Sequence, residues 1–235
     1  ELEFGADFSV MGGLATVEAT LYQQSIEDLI LLVDEAPSSG ASNSWQNGGE
    51  METNGLELAL GLNPTSLVDL GGLDWNMHMT YYTNESEVTK LTVDPYNYGG
   101  FATFLGTYRI EEGVSPTAIV GADYDADGNH IELGNENPDF RLSFRNSLSF
   151  GPLSLSFLID HKEGGHAINL ANLIYDLGAT TADYEENGSR TAVLGGGSTA
   201  PYVESTTYTA LRDLSLTYSL PAGLTEGYGL SNVQL

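Results

Sequence analysis

The stretch Phe140-Arg-Leu-Ser-Phe-Arg-Asn-Ser-Leu-Ser-Phe-Gly-Pro-Leu-Ser-Leu-Ser-Phe-Leu-Ile-Asp160 alternates between two kinds of side chain. In an extended strand Phe140, Leu142, Phe144, Leu148 and Phe150 fall on one face, while Arg141, Ser143, Arg145, Ser147 and Ser149 fall on the other. After Gly151-Pro152, the residues Leu153, Leu155, Phe157 and Ile159 repeat the pattern against Ser154, Ser156 and Asp160. This spacing predicts a hairpin closed by a tight turn. Each arm has about ten residues, the length a tilted strand needs to cross the hydrocarbon of a bilayer. A soluble sandwich uses the same alternation, so its recurrence elsewhere decides between the two.

It recurs. Leu2, Phe4, Ala6, Phe8 and Val10 alternate with polar or small residues, Met11-Gly12-Gly13 turns the chain, and Ala15, Val17, Ala19 and Leu21 return. Leu56, Leu58, Leu60 and Leu62 form a third row, Trp75, Met77, Met79 and Tyr81 a fourth, and Leu214, Leu216, Tyr218 and Leu220 a seventh, which Pro221 closes. The connections at 11–13, 63–72, 151–152 and 221–230 are short, whereas those at 27–50, 84–139 and 163–206 are long. Short turns at one rim and long loops at the other are the pattern of an outer-membrane barrel. Arg212 is the one charge in the apolar rows, and Tyr22, Trp75, Tyr81, Tyr82 and Tyr218 stand towards strand ends, where rings settle at headgroup level.

Composition narrows the function. The chain has 235 residues, 41% of them hydrophobic, with 28 glycines and 13 tyrosines, which argues against disorder. There is no run of about 18 apolar residues, so a membrane helix is excluded and a membrane barrel is not. The absence of cysteine removes disulfides, thiolate metal sites and a cysteine nucleophile. Acidic side chains number 33 against 7 basic ones, for a formal charge of −26, which repels nucleic acid and resembles the composition of salt-adapted proteins. The chain begins within a strand pattern at Glu1 and ends at Leu235 as another starts, so it is expected to be a partial barrel domain spanning 1–235.

Three segments carry a family resemblance. Asn47-Gly-Gly-Glu-Met-Glu-Thr-Asn-Gly-Leu-Glu-Leu58, Gly134-Asn-Glu-Asn-Pro-Asp-Phe140 and Leu211-Arg-Asp-Leu-Ser-Leu-Thr-Tyr-Ser-Leu-Pro221 resemble, in order and spacing, the C-terminal barrel half of SusC/RagA-type TonB-dependent outer-membrane transporters. The resemblance implies an all-β fold: about seven or eight antiparallel up-and-down strands belonging to a barrel of about 22 strands, with long extracellular loops. It further implies location in the bacterial outer membrane, a plug domain, energy supplied by TonB, a SusD-like surface lipoprotein as lid, and an oligosaccharide or peptide as ligand. Neither plug nor terminal aromatic strand is found in this sequence.

No enzyme constellation emerges. His78, His130, His161 and His166 lack metal-pair spacing and are expected in loops or the lumen, and no serine sits in a nucleophile elbow. Asp123, Asp125, Asp127 and Asn129, with Gly128 at a sharp turn, have the alternation that opens a calcium loop. The acid that closes such a loop is replaced by Gly134, with Glu132 as the substitute; the other reading is an Asp-Gly turn. Trp45, Tyr96, Tyr98, Phe101, Phe104 and Tyr108 in the long loops are candidates to stack on a ligand or pack a lid protein, or else to pack among themselves. Arg141 and Arg145 are expected to face the lumen and, in the intact protein, to form structural ion pairs with carboxylates of the plug or wall. The leading expectation is import of a large nutrient; the alternative is a soluble all-β carbohydrate-binding or adhesion module with a calcium loop. The two differ in whether Leu56, Leu58, Leu60, Leu142, Phe144, Phe157 and Leu216 lie uncovered or between sheets.

Overall fold

The computed structural model describes residues 1–66, 69–186, 188–195, 197–230 and 233–235. Its main wall is an antiparallel sheet of seven strands, in the order β1 (Leu2–Val10), β2 (Ala15–Asp34), β3 (Asn43–Leu62), β4 (Leu73–Leu91), β9 (Pro138–Phe150), β10 (Leu153–Gly164) and β13 (Tyr208–Tyr218). Between β4 and β9 the chain builds a second sheet of four strands, β5 (Tyr96–Tyr98), β6 (Thr107–Ile110), β7 (Ala118–Tyr124) and β8 (His130–Asn135). Between β10 and β13 it forms β11 (His166–Ile168), helices α1 (Leu170–Leu177), α2 (Ala182–Glu185) and α3 (Ser189–Gly195), and β12 (Val203–Ser205), which pairs with β11.

Register turns the separate apolar rows into one belt. Phe8, Val17, Leu60, Met79, Phe144, Ile159 and Leu211 stand side by side across all seven strands. The next row towards the short turns is Val10, Ala15, Leu62, Met77, Asn146, Phe157 and Leu214. No second layer covers this face: Phe4 is 67% exposed, Phe8 61% and Leu216 64%, and none of the seven diagnostic residues from Leu56 to Leu216 is buried. A sandwich would bury them. The buried apolar residues lie instead at the long-loop rim, where Ala118, Ile119, Val120, Leu173 and Tyr202 form the core of a folded cap.

Asn146 is the polar member of the belt, and it is nearly inaccessible. Its Oδ1 accepts a hydrogen bond from the Trp75 indole Nε1 at 2.8 Å, so the amide is shielded by the ring that satisfies it. Arg212 is not a belt residue. The register between β10 and β13 shifts after Leu158, and this bulge leaves Arg212 unpaired and swings its guanidinium to the polar face, where Nε lies 3.1 Å from Asp160 Oδ2. The rings expected at headgroup level divide in the same way. Tyr81, Trp75 and Tyr218 share the outer face, whereas Tyr22 and Tyr82 occupy lumen positions by alternation. Tyr22 lies across Gly55, where an added Cβ would fall 2.1 Å from its ring, which explains the glycine in the Asn54-Gly55-Leu56 segment.

The long connections are shorter than their sequence suggests. β2 and β3 run on past the belt to a turn at 35–42, because the apolar run Leu29–Val33 pairs with residues 44–49 beyond register shifts on either side of Leu29. Those shifts, with Asp28 at φ 55, hide the strand from a period-two reading. At the opposite rim Gly151, with φ 55, supplies the left-handed conformation that a two-residue hairpin turn requires. β1 and β13 form the two edges of the sheet, so the wall is open and is not an eight-stranded pore closed on itself. Residues 233–235 pair with the end of β13, through Tyr218 N to Leu235 O at 3.0 Å and Leu220 N to Val233 O at 2.9 Å.

Candidate ligand-binding cap and lumen

The extensions of β2 and β3 meet β5 and β6 around a cleft of about 900 Å³. Ile30, Leu32 and Trp45 line one side, and Pro95, Tyr96, Tyr98 and Ile110 the other. Trp45 is 70% exposed and Tyr98 64%, so the rings present free faces to the cleft. Arg109 fixes the β5 side: its Nη1 donates to Asn97 Oδ1 at 3.1 Å and its Nε to Glu111 Oε2 at 2.9 Å. Thr107 Oγ1 donates to the carbonyls of Tyr98 and Gly99, at 2.7 and 2.8 Å, and pins the turn behind the tyrosines.

The six loop aromatics therefore do not form one platform. Trp45, Tyr96 and Tyr98 share the cleft; Phe101 and Tyr108 line a separate pocket of about 280 Å³ with His166, Ile168 and Leu170; Phe104 belongs to neither. Tyr108 donates its hydroxyl to Glu136, and that bond with partial burial pushes the phenol up to about 12. Burial likewise raises the Tyr96 phenol.

The acidic turn does not gather the donors of a calcium loop. Asp125 spends its carboxylate on its own turn, accepting from the amides of Asp127 and Asn129 at 2.9 and 2.8 Å and from Asn129 Nδ2 at 3.1 Å. These bonds hold its carboxyl below the ordinary range. Asp123 points elsewhere and accepts from Ser198 Oγ at 2.5 Å and Thr199 N at 2.8 Å, which ties β7 to the segment before β12. Among the described residues no three His, Asp or Glu side chains stand gathered as metal ligands. The cluster is the Asp-Gly turn of the β7–β8 hairpin.

Sequence reasoning missed the polar cluster that holds the cap together. Asp176, fully buried on α1, receives Arg190 Nε at 2.5 Å and Nη2 at 3.1 Å, the Tyr202 hydroxyl at 2.8 Å and the Thr181 hydroxyl. Arg190 above all, with the two hydroxyls, depresses the Asp176 carboxyl well below the usual range, while burial and the carboxylate raise Tyr202 to about 12. The signal for α1 was present: Asn169 caps it by accepting from Asn172 N at 3.0 Å, and Leu170, Leu173, Ile174 and Leu177 follow at helical spacing.

Among the histidines, His78 faces the lumen, His130 bridges Asn97 and the Gly121 carbonyl, and His166 lies against Asn135. His161 departs from expectation: it stands on the outer face beside Leu142, its ring 5.7 Å from Phe140 and its Nε2 3.2 Å from Glu163. Arg141 and Arg145 face the lumen as alternation requires.

Comparison with known proteins gives consistent results. A family model described as "TonB dependent receptor-like, beta-barrel" matches residues 1–234. The chain is 23% identical to TonB-dependent receptor P3 of Formosa agariphila over an alignment 287 residues long, covering 100% of this chain and 28% of that protein. Among solved structures, the RagAB peptide importer in its "closed-closed" state superposes with a TM-score of 0.68 at 20% identity, covering 98% of this chain and 30% of the other. A second RagAB peptide transporter structure gives 0.69 at 18% identity, with 98% and 29% covered. The chain thus spans under a third of the length of these relatives.

Proposed function

The chain belongs to the TonB-dependent receptor β-barrel family of the bacterial outer membrane, and from that premise we propose that it forms part of the wall and extracellular cap of an importer for a large nutrient, an oligosaccharide or peptide. The observation that carries this reading is the uncovered apolar belt, bounded by tight turns on one side and by a folded, aromatic-lined cap on the other. Hydrocarbon covers the belt. The serine- and charge-bearing face lines the path, and the cleft of Trp45, Tyr96 and Tyr98 receives ligand at its mouth. No covalent chemistry is assigned to it.

A surface lipoprotein of the SusD type closes over the cap, and TonB drives release through a plug. The RagAB peptide importer, whose fold this chain shares, supports a peptide ligand. The soluble carbohydrate-binding alternative fails on the belt, because its apolar rows would lie in water. Uptake tests the proposal: cells lacking the gene, or lacking TonB, are expected to stop depleting a defined oligosaccharide or peptide mixture, with recovery on complementation. Unchanged depletion in both strains contradicts it.

A further inference from the structure

Basic side chains are scarce, at 7 in the whole chain, yet four of them gather on the lumen face of three adjacent strands: Arg141 and Arg145 on β9, Lys162 on β10 and Arg212 on β13. Arg141 and Lys162 stand directly opposite each other in register. Like charges so placed repel, and a chain with 33 acidic residues had ample means to avoid the pairing. The carboxylate on the same face of β10, Asp160, is already engaged by the Tyr208 hydroxyl at 2.7 Å and by Arg212 Nε at 3.1 Å. Arg141 interacts with it only through space, and among the described residues neither Arg141, Lys162 nor Arg145 forms an ion pair.

Two tyrosines bracket the cation pair. Tyr82 is beside Arg141 and Tyr208 beside Lys162, with the Arg212 guanidinium 5.0 Å from the Tyr208 ring centroid. Arg145 continues the strip about 13 Å deeper along β9. On β1–β3, Asp7, Glu18 and Glu57 occupy the same face; on β9–β13 the four cations face two carboxylates, Asp160 and, in the row of Arg145, Asp213, so that part of the wall is the less repulsive to an anion. Two unmatched cations between tyrosines, above rows of serine and threonine hydroxyls, offer complementary groups to a chain that carries anions, hydroxyls and the apolar C–H faces of sugar rings together.

We propose that this strip binds an acidic oligosaccharide whose sugars bear carboxylate or sulfate groups. The proposal rests on the importer reading and narrows its ligand. Its test uses the intact protein in detergent, with folding checked by heat-modifiable migration, and three probes: galacturonate oligomers, neutral dextran of matched length and polyglutamate. Galacturonate binding is expected to weaken as salt rises. It is expected to fall tenfold or more in Arg141→Gln/Lys162→Gln and to be largely retained in Arg141→Lys, while weak dextran binding stays unchanged. Equal galacturonate binding by wild type and the double variant overturns the proposal, as does polyglutamate binding that matches galacturonate and reveals a peptide site. A well-folded barrel that imports ligand through TonB without regard to its charge overturns this inference and leaves the importer reading intact. Failure of the wild-type protein to enter lipid overturns both.

Discussion

Replacing Phe144 by Arg separates the membrane account from any soluble alternative. Phe144 occupies the middle of the belt, between Met79 and Ile159, and its ring packs edge-on against Phe157 with centroids 6.3 Å apart. A lipid-facing arginine near the midplane costs about 2–4 kcal/mol. The lost ring contact adds about 0.5–1.5 kcal/mol. Phe144→Arg should therefore destabilise the intact protein by roughly 3–5 kcal/mol, on the order of a hundred- to several-thousandfold in the folding equilibrium. Ser147→Arg, three residues along the same strand on the wet face, should stay within about 0.5 kcal/mol. The assay is urea titration of protein refolded into lipid vesicles, followed by heat-modifiable migration. If Ser147→Arg costs as much as Phe144→Arg, or more, the assignment of the two faces is wrong.

Further predictions concern the polar groups. Trp75→Phe leaves the Asn146 amide without its donor and should cost about 1–3 kcal/mol; adding Asn146→Leu should recover most of that loss in the same titration. Asp176→Ala should lower the opening free energy of the cap by about 3–5 kcal/mol, read by hydrogen exchange at α1 and β12, with the wall unchanged. Because the Asp176 carboxyl is depressed in the folded state, its stabilisation is present above the unfolded carboxylate value and is lost as pH falls. Cap protection should therefore persist from neutrality to about pH 4 and disappear only in stronger acid. Calcium titration should give the same heat for wild type and Asp125→Asn, since Asp125 serves its own turn; a chelation heat lost only in the variant would restore the calcium loop.

The wall was legible because its two faces meet different solvents over a whole strand length, which writes a period of two into Phe140–Phe150 and its neighbours. Where a bulge breaks that period the pattern misleads, as at Glu27-Asp28, which concealed the extension of β2, and at Arg212, which alternation places in lipid. The cap was less legible because its strands are short and its helices depend on distant partners. Nothing local to Asp123 announces that it bonds Ser198 and Thr199, and Asp176 meets Arg190 and Tyr202 only once the chain has folded. Of the loop aromatics, Trp45, Tyr98, Phe101 and Phe104 are exposed and Tyr96 and Tyr108 half-buried, and their division between a cleft and a pocket is a product of the β5–β8 sheet.

Site-directed spin labelling along β9 tests most directly which face meets lipid. This chain has no cysteine, so single cysteines at each position from 141 to 149 give one label apiece in this segment of the intact protein. Oxygen, which partitions into hydrocarbon, should broaden labels at Leu142, Phe144 and Leu148, whereas a water-soluble nickel chelate should reach Arg141, Ser143, Arg145 and Ser147. The opposite phase, or labels at Leu142, Phe144 and Leu148 closed to both reagents, would contradict the membrane assignment.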